Sequence, residues 1–206
     1  MAYRNPAANT SISSPSPARS LSRSLRHTLA ERQNDLYETP AAAIEALLRV
    51  ERLPPCVWEP AAGHGAIVRV LRDHGLAVIA TDIEDYGFPL HFRRDFLSEI
   101  GAPAGVEAII TNPPFKIAGK FVEHALQLSP RVIMLLRLAF LESERRRAIL
   151  ENRGLVRVHV FRNRLPMMHR HGWQGNKASN ATPFAFFVWD RSHVGPATIN
   201  RISWER

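Results

Sequence analysis

The apolar positions of this chain fall into short continuous runs separated by stretches of helical periodicity, the alternation expected of an α/β protein. Val57-Trp58-Glu59, Ala77 to Asp82, Val106 to Ile110, Val132 to Leu136, Leu155 to Phe161 and Pro183 to Trp189 read as strands, several apolar throughout and so buried on both faces. Ile44, Leu47 and Leu48 mark a helix from Pro40 to about Val50, with Thr39 as its cap and Pro40 in its first turn. Ile67, Val68, Val70 and Leu71 mark a second helix, and Phe121, Val122, Ala125, Leu126 and Leu128 a third. Glu142 to Leu150 is a charged helix whose Arg145, Arg146 and Arg147 cannot share one face. The pattern predicts an α/β fold with a doubly wound sheet.

Chemistry is concentrated where these strands end. Val57-Trp58-Glu59 runs into Pro60-Ala61-Ala62-Gly63-His64-Gly65 and then a helix, the ligand-binding corner of such a sheet. A dinucleotide fingerprint would place a third glycine at position 68, where Val68 stands, which argues against a bound pyrophosphate. The Ala77 strand ends in Asp82, suited to accept ribose hydroxyls, and Ile83 can pack on a base. Val106 to Ile110 leads into Thr111-Asn112-Pro113-Pro114-Phe115, where two prolines forbid the strand from continuing. An Asn held there, with the Pro113 carbonyl and the Phe115 ring beside it, offers two acceptors and an aromatic face to a flat molecule bearing an NH2 group. The competing reading of these residues is an ordinary turn rich in Asn and Pro.

The length of 206 residues, with 45% hydrophobic and 22% charged, fits one globular domain with a substantial core. Residues 1–33 are rich in Ser, Pro, Ala and Arg and are expected to be disordered, leaving 34–206 as the folded domain. Arg4, Arg19, Arg23 and Arg26 precede the first acid, Glu31, a composition that suits a basic arm or an inert tail above a transit peptide. No stretch is long and apolar enough to span a membrane. The single cysteine, Cys56, excludes a disulfide framework and a multi-cysteine metal site, and His169 with His171 is too sparse a ligand set for a metal. A cytoplasmic location and no metal are therefore expected. Net charge of +8 favours a polyanionic partner. Residues 160–182 contain no acid yet carry Arg162, Arg164, Arg170 and Lys177 around Trp173, so the loop 162–181 reads as substrate-facing, against the alternative of a solvated basic loop.

Asn112-Pro113-Pro114-Phe115 resembles the catalytic motif of S-adenosylmethionine-dependent amino-methyltransferases, above all the N6-adenine class. Glu59-Pro60-x-x-Gly63-x-Gly65 resembles motif I of class I methyltransferases, whose small residues let the backbone approach the cofactor and whose acid binds its amino end. Glu38-Thr39-Pro40 is similar to the N-terminal cofactor motif of the gamma-ordered adenine methyltransferases, which holds the methionine end. Arg94-Asp95-Phe96-Leu97 matches a third motif, in which Asp95 would receive the adenine amino group of the cofactor and Phe96 would flank its ring.

The resemblance implies a mostly parallel, seven-stranded Rossmann-like sheet with an antiparallel C-terminal hairpin, and S-adenosylmethionine as cofactor. It implies Thr39, Pro40, Glu59, Pro60, Ala61, Gly63, Gly65, Asp82, Ile83, Asp95, Phe96 and Asn112 around that cofactor, and Asn112, Pro113, Pro114 and Phe115 at the reacting amine. Lys116, Phe140, Arg162, Arg164, Arg170, Trp173 and Lys177 are the further substrate candidates, Phe140 as the second face of an aromatic clamp. The expected function is methylation of the exocyclic N6 of adenine in DNA. The alternatives are an RNA N6-adenine methyltransferase and a catalytically silent nucleic-acid-binding module of the same fold.

Overall fold

A computed structural model describes residues 35–167 and 182–205. Helix α1 (Ala41–Leu48) leads to strand β1 (Cys56–Glu59), helix α2 (Ala66–Asp73) and strand β2 (Ala77–Asp82). A two-residue strand β3 (Phe92–Arg93) and strand β4 (Ala108–Thr111) follow, then helix α3 (Ala118–Leu128), strand β5 (Arg131–Arg137) and the short helix α4 (Arg147–Glu151). Strands β6 (Leu155–Phe161), β7 (Phe184–Asp190) and β8 (Thr198–Ile202) complete one sheet in the order β3-β2-β1-β4-β5-β7-β6-β8.

Pairing is parallel except around β7, which runs antiparallel between β5 and β6. The hairpin implied by the resemblance is therefore present, but among the described residues the sheet has eight strands and not seven, because β8 adds to β6 in parallel. Sequence pattern missed β8 for a physical reason: it is an edge strand in which only Ile202 is buried, so Thr198-Ile199-Asn200-Arg201 lacks an apolar run.

The continuous apolar strands divide by alternation between two cores. Ile133 and Leu135 of β5, with Phe184, Phe186 and Val188 of β7, face the side covered by α1 and α2. Val132, Met134 and Leu136, with Phe187 and Trp189, face α3 and α4. All strands but β7 consequently end at one edge, and the loops that follow β1, β2 and β4 meet there.

Two helical expectations change. Thr39 does not cap α1; Pro40 holds the cap position without a side-chain bond, and Thr39 is buried beside a cavity described below. The predicted helix over 142–150 is broken into a single 3-10 turn, Glu144–Arg146, and α4, with Ser143 at a φ of 131°. Arg146 turns back to donate to the carbonyls of Ala139, Phe140 and Glu142 at 3.2, 3.1 and 3.0 Å, so it supports the chain where a solvated face was expected.

Away from this edge, buried Glu51 ties α1 to the sheet. It accepts from Arg131 Nη2 at 2.6 Å, Arg157 Nη2 at 2.9 Å and His159 Nε2 at 2.7 Å, and also from Arg157 Nε. Burial pushes its carboxyl up, but the hydrogen bonds from His159 and Arg157 outweigh it and bring the pKa to about 2 from 4.5. Because the folded group is more acidic than the unfolded one, its contribution is present above pH 4.5 and lost as pH falls towards about 2. Glu51→Gln is expected to cost about 2 kcal/mol near neutral pH, by leaving the half-buried Arg131 and Arg157 guanidinium groups without their carboxylate. It should also flatten the acid limb of a urea-midpoint profile; an unchanged midpoint would contradict this role.

Candidate active site

Glu59 ends β1 with its side chain fully buried. Its Oε1 accepts from Thr111 Oγ1 at 2.5 Å, which joins the ends of β1 and β4, and from the Ala61 amide at 3.4 Å. Its Oε2 is buried with no hydrogen-bond partner among the described residues. Burial pushes the carboxyl well above the ordinary carboxylate range, against the hydrogen bonds from Thr111 and Ala61.

The turn after Glu59 is fixed from the next strand. The Ala62 amide donates to the Thr81 carbonyl at 3.0 Å and the Gly63 amide to Asp82 Oδ2 at 2.8 Å. Gly63 and Gly65 have φ of 52° and 76°, and a β-carbon on Gly65 would collide with the Phe88 ring. Asp82 Oδ1 accepts from the Glu84 amide at 2.9 Å, so one carboxylate shapes both the glycine turn and the start of the loop after β2. Burial also pushes the Asp82 pKa up, opposed by these backbone donors.

At the end of β4, Asn112 Nδ2 donates to the Tyr37 carbonyl at 2.9 Å. A carbonyl can only accept, so this contact fixes the amide orientation and turns Oδ1 the other way. That oxygen is buried and has no partner among the described residues. Tyr37 belongs to a strap, residues 35–39, that bridges the two turns: Asp35 Oδ2 accepts from the Lys116 amide at 3.1 Å, and Leu36 packs where a β-carbon on Gly63 would stand. Beneath the strap lies a cavity of about 300 Å3, which runs from Asp82 and Ile83 past the glycine turn to Asn112 and Pro114.

No protein-family model matches the chain, and no curated protein sequence does. Solved structures do. The modification subunit of a protein described as a type I restriction enzyme from Vibrio vulnificus aligns with a TM-score of 0.57 at 16% identity, covering 89% of this chain and 50% of that one. A protein from Listeria monocytogenes described as a class I S-adenosylmethionine-dependent methyltransferase gives 0.57 at 11% identity, covering 82% and 67%. One from Pyrococcus horikoshii described as an RNA methyltransferase gives 0.51 at 20% identity, covering 75% and 85%. The fold is that of the class I methyltransferases. The chain spans half the length of the Vibrio subunit.

In this methyltransferase fold most of the residues expected around the cofactor line this cavity. Thr39, Pro60, Ala61 and Gly63 line it on the side of the glycine turn, and Asp82, Ile83, Asp95 and Phe96 line it towards β2 and β3. Ile83 is 56% exposed, an apolar surface open to a flat ligand. Asp95 does what a turn-capping acid does, accepting from the Leu97 amide at 3.0 Å and from Ser98 Oγ at 3.2 Å. Phe96 is 2% exposed, wedged among Trp58, Phe121 and His124, so it reaches the cavity only by its rim.

Other predicted residues stand behind the wall or away from it. Pro40, Glu59, Gly65 and buried Pro113 are outside the lining. Phe115 stacks on Tyr37, with centroids 5.5 Å apart and planes 20° from parallel, and lies 4.6 Å from the Arg137 guanidinium. A base stacking on Phe115 therefore competes with neighbours already there. Phe140 is not a second clamp face: it is 5% exposed in the α3-side core, edge-on to Phe187 and covered by Arg146 at 4.3 Å. Apolar position alone gave no sign that the arginine six residues on would fold back over it.

Lys116 is exposed beside Asn112, and Arg162 and Arg164 are exposed beyond β6, outside this cavity. Arg170, Trp173 and Lys177, and the expected tail 1–33, lie outside the described residues. Among described residues no group of acids, His and Cys could hold a metal, and no helix is long and apolar enough to cross a membrane. Sequence reasoning missed Tyr37, whose only signal was its place directly before Glu38-Thr39-Pro40, and Glu84 and Tyr86, which line the cavity beyond Asp82.

Proposed function

We propose that this chain transfers a methyl group from S-adenosylmethionine to the exocyclic N6 of adenine in DNA. The observation that carries the reading is Asn112, a residue of the cavity lining whose buried Oδ1, oriented by the bond from Nδ2 to the Tyr37 carbonyl, has no partner among the described residues. An amine N–H is the complement of such an atom.

The residues fit the cofactor. Glu59 stands fully buried behind the cavity wall, from where its carboxyl would meet the ammonium through a water; the glycine turn allows close backbone approach; Asp82 and exposed Ile83 suit a ribose and a base. When bound, S-adenosylmethionine supplies an electrophilic methyl on sulfonium sulfur. The work of the chain is to position the amine. Asn112 Oδ1 and the Pro113 carbonyl would each accept one amine hydrogen, drawing the nitrogen from planarity and turning its lone pair towards the methyl. The amine would become acidic only as the new N–C bond forms and the bond from the methyl to sulfur breaks, and its surplus proton would then pass to solvent, so no residue need remove a proton first. In a duplex the adenine must leave the stack to reach this wall, and Phe115 or Tyr37 would replace part of the lost stacking.

DNA is favoured by the Asn-Pro-Pro-Phe turn and by the order of motifs along the chain; the Vibrio structure is a modification subunit of a restriction enzyme. RNA is the second reading, since the Pyrococcus protein is described as an RNA methyltransferase and unpaired bases need less machinery to expose. Labelled cofactor incubated with duplex DNA, total RNA and protein extract, followed by nucleoside analysis, separates them. Labelled N6-methyldeoxyadenosine is expected. Label confined to RNA would overturn the DNA assignment, and label in none would overturn transfer itself.

A further inference from the structure

A second concavity, of about 230 Å3, lies between the C-terminal end of α1 and β8. Three exposed arginines line it, Arg49, Arg162 and Arg201, against one acid, Glu205. The parts are held in place: Arg49 Nη2 donates to the Ser203 carbonyl at 2.6 Å, and the Arg162 amide donates to the Ile202 carbonyl at 2.9 Å. Asn163 Nδ2 donates to Glu205 Oε2 at 2.7 Å, which holds that acid in place.

Its position in the sheet gives this cluster a use. Because β6 and β8 run in the direction of β4, Arg162 and Ser203 leave the sheet at the same edge as Asn112. In the order β4-β5-β7-β6-β8, β6 lies three and β8 four strand spacings from β4. At about 4.8 Å each, that is roughly 14 to 19 Å from the catalytic turn. The glycine turn and Asp82 lie on the other side of β4, so the arginines flank the amine-binding end and not the cofactor end. On a duplex, with about 3.4 Å per base step, this span corresponds to about four to six steps.

We infer that Arg49, Arg162 and Arg201 form a backbone-phosphate site for the nucleic-acid strand whose target base reaches Asn112. The inference rests on the proposed function for its partner. The edge strand β8 thereby has a role: it carries Arg201 and leads to the Ser203 carbonyl that anchors Arg49, extending the substrate track to the end of the sheet. Such contacts set affinity and register without reading sequence.

The test is the salt dependence of binding by the full chain to fluorescein-labelled random-sequence duplex DNA and, separately, single-stranded RNA. Arg162→Gln/Arg201→Gln is expected to weaken binding on the order of tenfold at moderate salt. The slope of log affinity against log salt should shrink by about 1.8 on the duplex, or about 1.4 on the single strand, for two lost phosphate contacts. Arg162→Lys/Arg201→Lys should keep most of the slope, and cofactor affinity should stay within twofold in both variants. Unchanged slope in the glutamine variant, or equal loss in the lysine variant, would overturn the phosphate site. The assay needs no turnover: arginine-dependent binding by a protein that methylates nothing would sink the proposed function alone. Methylation with an unaltered slope would sink this inference alone.

Discussion

Asn112→Ala is expected to lower methyl transfer by about a thousandfold while leaving S-adenosylmethionine affinity within a few fold. The substitution deletes the unpartnered Oδ1 and with it the acceptor proposed to hold the target amine. It also deletes the donor to the Tyr37 carbonyl, but Asp35 still accepts from the Lys116 amide, so the strap keeps its second tie. Single-turnover transfer and calorimetric titration with cofactor, on the same preparation, separate the two effects. Transfer within tenfold of the native protein would remove Asn112 from the chemistry.

Glu59→Gln should move stability and binding apart. Its carboxyl meets no cation among the described residues and stands behind the cavity wall, so a ligand ammonium reached through a water is its proposed partner, and losing the charge should weaken cofactor binding about tenfold. Without ligand the sign reverses. Burial raises the folded pKa of Glu59, so the folded state holds its proton more tightly than the unfolded chain does. Stability of the unliganded protein should consequently fall as pH rises from the ordinary value of 4.5 through the raised one, and the substitution removes that decline. Thermal melts from about pH 5 to 9 with and without cofactor check both limbs. Equal cofactor affinity, or the same pH slope in the variant, would contradict the assignment.

What could be read in the sequence follows from how much each residue says by itself. The buried strands were legible because burial on both faces makes an uninterrupted apolar run, as in Val132 to Leu136, whose alternate residues serve opposite cores. The turns after β1 and β4 were legible because Gly63, Gly65, Pro113 and Pro114 impose backbone geometry whatever surrounds them. An edge strand such as β8 has one buried residue and no run to detect. Phe140 shows the opposite failure: an aromatic residue just past a strand end reads alike as a clamp or as core, and only Arg146 and Phe187 decide it. The contribution of Tyr37 through its backbone carbonyl carries no side-chain signature at all. Nor does sequence show that the acids of Asp82 and Asp95 are partly occupied by neighbouring donors.

The most direct measurement is a crystal structure of the chain with S-adenosylmethionine bound. The expected result has the ammonium beside the turn that follows Glu59, the ribose beside Asp82, and the sulfonium methyl directed at the space in front of Asn112 Oδ1, where an amine nitrogen held by that oxygen would lie about 3 to 3.5 Å from the methyl carbon. A cofactor seated outside the cavity, or one whose methyl faces away from Asn112, would contradict the idea that donor and target amine share this site.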